Sequence, residues 1–335
     1  MPEPPPWRRF ESSSTEPDID SEEANLSFVD TKYKVPDLTT IERRRGSSFR
    51  LPRDKTGTIT PEGRKVLLAV NAAIYLRRPL LVTGQPGSGK TSLAYSISHE
   101  LGLGRVLWWP ITPRTELEQG LYRYDALDRL RDSQEKRGSA AEYITLGPLG
   151  TAFLPYQKPR VLLIDEIDKS DLQLPNELLH LFEEGSFTIP QLRREARAFS
   201  RDRSNSKTVA GHKSVESGMA EVETDDEATP AKIKLGSVKC QAFPIVVMTS
   251  NGERDFQPAF YRRCIRVRMP PPTLASALRD VVAVQFAKDW EGKNWQDSPI
   301  LAQLIGRFDP SSVSSEDRKD SINDQLLVCS PGSKC

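Results

Sequence analysis

The chain has 335 residues, 37% of them hydrophobic, which suffices for one large or two modest buried cores. Lys+Arg (47) and Asp+Glu (46) balance to a formal charge of +1, so no overall basic field marks a nucleic-acid partner. Cys240, Cys264, Cys329 and Cys335 form no C-x-x-C pair, which excludes a disulfide framework and points to a reducing, cytoplasmic setting.

Residues 1–30 are rich in Pro, Ser, Glu and Asp, and burial cannot offset the entropy of ordering them, so a disordered leader is expected. The opening "MPEPPPWRRFESSS" lacks the apolar core of a signal peptide, and no apolar run approaches the roughly 18 residues that span a bilayer. "TPEGRKVLLAVNAAIYLRRP" predicts a helix capped by Thr60, with Pro61 in its first turn, Arg77 and Arg78 at its negative end and Pro79 as its stop. Apolar residues on nearly every side from Val66 to Leu76 predict heavy burial.

Three apolar runs follow: "LLVTG" from Leu80, "VLLIDE" from Val161 and "PIVVMTSN" from Pro244. Continuous rather than alternating hydrophobicity fits strands covered on both faces. With "RVLWWPIT" and "CIRVRMP" the expected class is α/β, a parallel sheet of about five strands with helices on both faces. Residues 111–150 interrupt it, and there Leu121, Tyr124, Leu127 and Leu130 are expected on one helical stripe. Residues 191–239, basic and then acidic, are expected to be a polar mobile insertion.

"GQPGSGKT", Gly84 to Thr91, matches G-x-x-x-x-G-K-[ST] between a strand and a helix predicted over Lys90–Leu101, with Gly102 as its stop. In Gly84, Gln85, Pro86, Gly87, Ser88, Gly89, Lys90, Thr91 and Ser92 the glycines let backbone N–H groups turn inward around phosphates at the positive end of a helix. Lys90 then reaches the β and γ phosphates, and the Thr91 hydroxyl takes Mg²⁺. The second element is "VLLIDEID", where Asp165 is the candidate Mg²⁺ holder and Glu166 the group that polarises water. Asp168 is expected as a helix-start or surface carboxylate.

These two motifs, followed by "MTSN" and "PAFYRRC", resemble the AAA+ ATPases. The resemblance covers about residues 55–270. It implies a P-loop NTPase fold, Asn251 as the sensor that orients the attacking water, and Arg263 or, second, Arg262 as a finger reaching a neighbouring subunit's nucleotide. "GPL" at Gly147–Leu149 and "LPNELLHLFEEGSFTIP" are similar to segments of the MoxR group, in which 111–150 is a helix-2 insertion and Phe187–Ile189 begins the hairpin before the sensor strand. The core on this reading is 31–270. The resemblance implies a small helical lid with a basic sensor in 271–335; no helix-opening arginine stands out there, Arg279 and Arg307 being substitutes without spacing support, so the lid is expected to be short, incomplete or completed by another chain, with a frayed tail.

Elsewhere Trp108, Trp109, Tyr122 and Tyr124 are expected to be buried beside the sheet rather than stacked on bases, and Arg114 and Arg123 to be solvated. His99, His180 and His212 lack metal-ligand spacing. The expected function is Mg²⁺-dependent ATP hydrolysis by a MoxR-like ring, hexameric by resemblance, that remodels a protein client with a von Willebrand factor A-like domain. The alternatives are a nucleotide-gated binding or signalling module with little turnover and, less favoured, a DNA-dependent motor.

Overall fold

The computed structural model describes residues 5, 35–54, 56–132, 139–205, 219–226 and 230–271. The expected leader, the lid beyond Pro271 and the stretches 133–138, 206–218 and 227–229 lie outside the described residues. The chain divides into two compact units, Met1–Phe49 with Lys65–Met269, and Arg50–Arg64 with Pro270–Cys335.

In the second unit Arg53 and Ile59 form an antiparallel bridge around a turn in which Asp54 Oδ1 accepts the Thr56 and Thr58 N–H groups.

The large unit opens with α1 (Thr40–Ser48), whose cap residue Thr39 exchanges hydrogen bonds with Glu42. Helix α2 (Pro61–Leu76) starts as predicted, with Thr60 Oγ1 accepting the Gly63 N–H. Its burial differs from expectation. Val66, Val70, Ala73 and Ile74 are buried at helical spacing, whereas Leu67, Leu68, Tyr75 and Leu76 are exposed, because a 3.6-residue period turns only one stripe inward.

The remaining elements are β1 (Leu80–Thr83), α3 (Lys90–Leu101), β2 (Leu107–Pro110), α4 (Leu117–Leu121), β3 (Tyr122–Tyr124), α5 (Ala126–Asp132), β4 (Ile144–Leu146), α6 (Pro148–Ala152), β5 (Val161–Asp165), α7 (Leu174–Glu184), β6 (Ser186–Thr188), α8 (Pro190–Asn205), β7 (Met219–Val222), β8 (Ala231–Lys234), β9 (Ser237–Lys239), β10 (Ile245–Ser250), α9 (Pro258–Arg263) and β11 (Ile265–Arg268). Five strands pair in parallel in the order β11-β1-β10-β5-β2, the sheet expected from the apolar runs. All six residues of β10 are buried. Phe153, Phe182 and Phe243 meet in one cluster, two of the three pairs edge-on at 6.1 Å between centroids, the offset geometry that ring quadrupoles favour. Each such ring contributes roughly 1.5–3 kcal/mol of burial.

This strand order decides which residues can meet. With β10 between β1 and β5, the cradle after β1, the acidic end of β5 and the residues leaving β10 share one edge of the sheet, its carboxyl end.

Both interruptions carry secondary structure of their own among the described residues. No single stripe joins Leu121, Tyr124, Leu127 and Leu130: Leu121 ends α4, Tyr124 lies in β3 paired antiparallel with β4, and Leu127 and Leu130 are exposed on α5. Residues 191–239, expected to be mobile, carry α8 and three strands of an antiparallel sheet ordered β6-β9-β8-β7. In β8 Ala231 and Ile233 point inward and Lys232 and Lys234 outward, a two-residue period hidden within a polar composition. The segment is fastened by a buried ion pair. Arg160, just before β5, donates Nη2 to Asp226 Oδ1 at 2.8 Å, and its Nη1 donates to Asp226 Oδ2 and, at 3.0 Å, to Tyr156 Oη. Among the described residues no helix is long and apolar enough to cross a membrane.

Candidate active site

The cradle between β1 and α3 is shaped by its backbone. Gly87 and Gly89 adopt left-handed conformations with φ +76° and +85°, which side chains with a Cβ rarely tolerate. Gln85, Pro86 and Gly87 are exposed at its apex, Ser88 and Gly89 half-buried, and Gly84 buried. The Ser88 hydroxyl is buried without a hydrogen-bond partner. Thr91 and Ser92 open α3, whose far end stops at the predicted Gly102, left-handed, with its N–H on the His99 and Ser98 carbonyls.

Lys90 is 8% exposed and folds back over the loop. Its Nζ donates to the Gly84 carbonyl at 2.8 Å, the Gln85 carbonyl at 2.9 Å and Asn251 Oδ1 at 2.9 Å. Burial lowers the Lys90 pKa, while the Asp168, Asp165 and Glu166 carboxylates pull it back up. The predicted lysine and asparagine therefore meet across 161 positions of sequence.

The acid pair stands beside them. Asp165 Oδ1 accepts from Thr91 Oγ1 at 3.2 Å and from Thr249 Oγ1 at 2.6 Å, and Asp165 Oδ2 accepts from Trp108 Nε1 at 3.3 Å. Glu166 follows with φ 61° and ψ 47°, its N–H donated to Thr249 Oγ1 at 2.8 Å and its carboxylate paired with Lys169 Nζ at 2.6 Å. The hard oxygens of Thr91 and Asp165 suit Mg²⁺, which takes one or two protein ligands beside phosphate and water. An orphaned, buried Ser88 hydroxyl in the cradle suits a phosphate acceptor.

One expectation is corrected and another is decided between its alternatives. Trp108 is 50% exposed and lies at the acid pair, because alternation along β2 turns Trp109 inward and Trp108 outward. Asp168 is the acidic residue in the first turn of a short helical turn, Ile167–Lys169, the helix-start alternative, and at 4% exposed it is not a surface group; its Oδ2 accepts the Asn251 N–H at 2.9 Å and the Glu253 N–H at 3.1 Å, so it shapes the loop leaving β10.

The two candidate finger arginines stand apart from this cluster. Arg263 Nε pairs with Glu183 on α7, both half-exposed, and the Arg262 side chain makes no hydrogen bond or ion pair among the described residues. Neither bonds to the cradle or the acid pair within this chain. Thr249, Lys169 and the role of Asp168 escaped sequence reasoning. Thr249 was within reach, since positions two apart on a strand share a face and "MTSN" sets it two before Asn251.

The family model for an AAA domain of the dynein-related subfamily matches residues 79–264. Solved structures similar to the chain include NtrX from Brucella abortus in complex with ADP, 14% identical with a TM-score of 0.37 over 79% of this chain and 52% of that one. The Holliday junction branch migration motor RuvB of Thermotoga maritima is 17% identical with a TM-score of 0.30, over 71% and 54%. The chain spans about half the length of these structures. No curated protein matches it.

Proposed function

The chain belongs to the dynein-related subfamily of AAA domains, and from that premise we propose that it hydrolyses ATP with Mg²⁺ and acts as a MoxR-like ring that remodels a protein client. Lys90 binds the β and γ phosphates in place of its loop carbonyls. Thr91 and Asp165 hold Mg²⁺, which supplies charge neutralisation on the phosphates. Glu166 takes a proton from water as the water oxygen bonds to the γ phosphorus and the bond to the β–γ bridging oxygen breaks. Asn251 orients that water. Arg263, with Arg262 as the second choice, comes from a neighbouring copy and spreads its charge over the phosphate oxygens. The client class, one carrying a von Willebrand factor A-like domain, and the sixfold ring rest on the MoxR resemblance.

The single observation that carries the reading is the 2.9 Å contact of Lys90 Nζ with Asn251 Oδ1 beside the Thr91–Asp165 pair. Glu166→Gln tests it. ATP binding measured by calorimetry should persist while turnover falls below detection; a variant that turns over like the unmodified protein removes Glu166 from the chemistry.

One observation favours a second reading, a nucleotide-gated switch with little turnover. The Glu166 carboxylate is engaged by Lys169 Nζ at 2.6 Å, which occupies an oxygen that the attacking water would need. Lys169→Ala separates the two: the switch reading expects turnover to appear only in the variant, the ATPase reading expects it already in the unmodified chain.

A further inference from the structure

We propose that Thr249 is a positioning residue whose one buried hydroxyl aims both acids of the site. The assignment rests on the hydrolytic reading of that site. Thr249 is 1% exposed on β10, and its Oγ1 donates to Asp165 Oδ1 at 2.6 Å while accepting the Glu166 N–H at 2.8 Å.

The polarity of this link has one solution. An ionised carboxylate only accepts and a backbone N–H only donates, so the hydroxyl proton belongs to Asp165 and a lone pair to Glu166. Both bonds run from β10 to the end of β5, its parallel neighbour, in the strands' carboxyl-end register. Glu166 has a left-handed backbone, disfavoured for any residue with a Cβ, and its N–H is the group that Thr249 engages. The hydroxyl thus fixes a backbone angle that sets where the Glu166 side chain departs, and at the same time a carboxylate oxygen that Thr91 also shares. Partners behind a metal-holding carboxylate act in this manner, orienting a ligand they do not replace.

Thr249→Val keeps the shape and removes both hydrogen bonds; Thr249→Ser keeps both and removes only a methyl. Thr249→Val should lower kcat for ATP at least about tenfold with KM within about threefold, the usual size of a lost supporting contact. Thr249→Ser should stay within about threefold of the unmodified protein. Amide exchange read by NMR should accelerate at Glu166 in Thr249→Val and not in Thr249→Ser.

Unchanged kcat in Thr249→Val, or equal losses in the two variants, overturns the proposal. So does a Glu166 amide that exchanges as in an unstructured chain in the unmodified protein, whatever the folding of either variant. An unmodified protein that neither binds nor cleaves ATP sinks the hydrolytic reading instead, and the amide exchange still decides whether Thr249 holds the pair.

Discussion

Lys90 donates to Asn251 Oδ1 at 2.9 Å, so its ammonium is already satisfied by three protein oxygens. On the proposed ATPase reading an incoming triphosphate would exchange those acceptors for its own oxygens and free Asn251 Oδ1 for another donor, a water among them, so that binding would depend on Lys90 and catalysis on Asn251. Lys90→Ala should weaken ATP binding about 100-fold, the loss of a buried charge-assisted contact. Asn251→Ala should bind ATP within about threefold of the unmodified chain and lose about 100-fold in kcat, the scale of one removed transition-state partner. Calorimetry and steady-state kinetics on the two variants check the division; a binding defect equal to that of Lys90→Ala would falsify the role given to Asn251.

Arg263 is parked on Glu183 across α9 and α7, both side chains about half exposed. An exposed pair of this kind contributes no more than about 1 kcal/mol, so on the proposed finger role it would release the guanidinium readily to a neighbouring copy. Specific activity should rise with protein concentration, and Arg263→Ala should flatten that rise without changing ATP affinity. Arg262→Ala should keep it, reduced less than about threefold for the loss of an exposed charge. The reverse pattern assigns the finger to Arg262, and flat curves in all three proteins remove the neighbouring copy from the reaction.

The parts of this site that sequence exposes are those whose chemistry lies in consecutive residues. Gly84 to Thr91 carries its mechanism in the loop's own backbone, and Asp165 and Glu166 close an apolar strand whose burial is plain in composition. Parallel strands covered on both faces were legible for the same reason. Thr249 and Asp168 were not, because what they do depends on which strand neighbours which: β10 beside β5 brings Thr249 to Asp165 across 84 positions and Asp168 to Asn251 across 83. The antiparallel sheet around β8 was missed because its inward residues, Ala231 and Ile233, are few and their lysine neighbours set the average. The exposed side of α2 was missed because apolar composition states what a residue prefers, not whether a neighbour exists to cover it.

Cys264, between α9 and β11, gives the fold a pH response at the alkaline end. Burial pushes its thiol up to about 12, against smaller opposing effects of Arg266 and Arg78. The unfolded chain loses this proton near pH 9 and the folded chain near 12, so the unfolded state binds fewer protons in between. Stability from this group is complete below pH 9 and declines across that window by at most about 1.4 kcal/mol per pH unit. Urea unfolding at pH 8 and pH 10 should show a smaller decline in Cys264→Ala than in the unmodified protein. Equal declines would mean the thiol ionises alike in both states.

The Arg160–Asp226 pair links the inserted sheet to the strand that ends in Asp165, and its removal should be felt at both places. Both side chains are essentially excluded from solvent, and Arg160 Nη2 also reaches the Arg105 carbonyl at 3.1 Å. Deleting one partner of such a pair leaves the other charge buried and unmatched, which costs about 3–5 kcal/mol. Asp226→Ala should therefore lower stability in urea by that order. Arg160→Met with Asp226→Leu, which removes both charges and keeps volume, should recover most of it, because the attraction between buried charges roughly cancels their desolvation. Arg160 immediately precedes β5, and the Ile245 N–H bonds to its carbonyl at 2.8 Å, so the residue also sets where β10 begins beside β5. Asp226→Ala should accordingly reduce ATP turnover below what the folded fraction accounts for, while the double replacement restores it. If Asp226→Ala melts like the unmodified protein, the inserted sheet is not fastened by this pair.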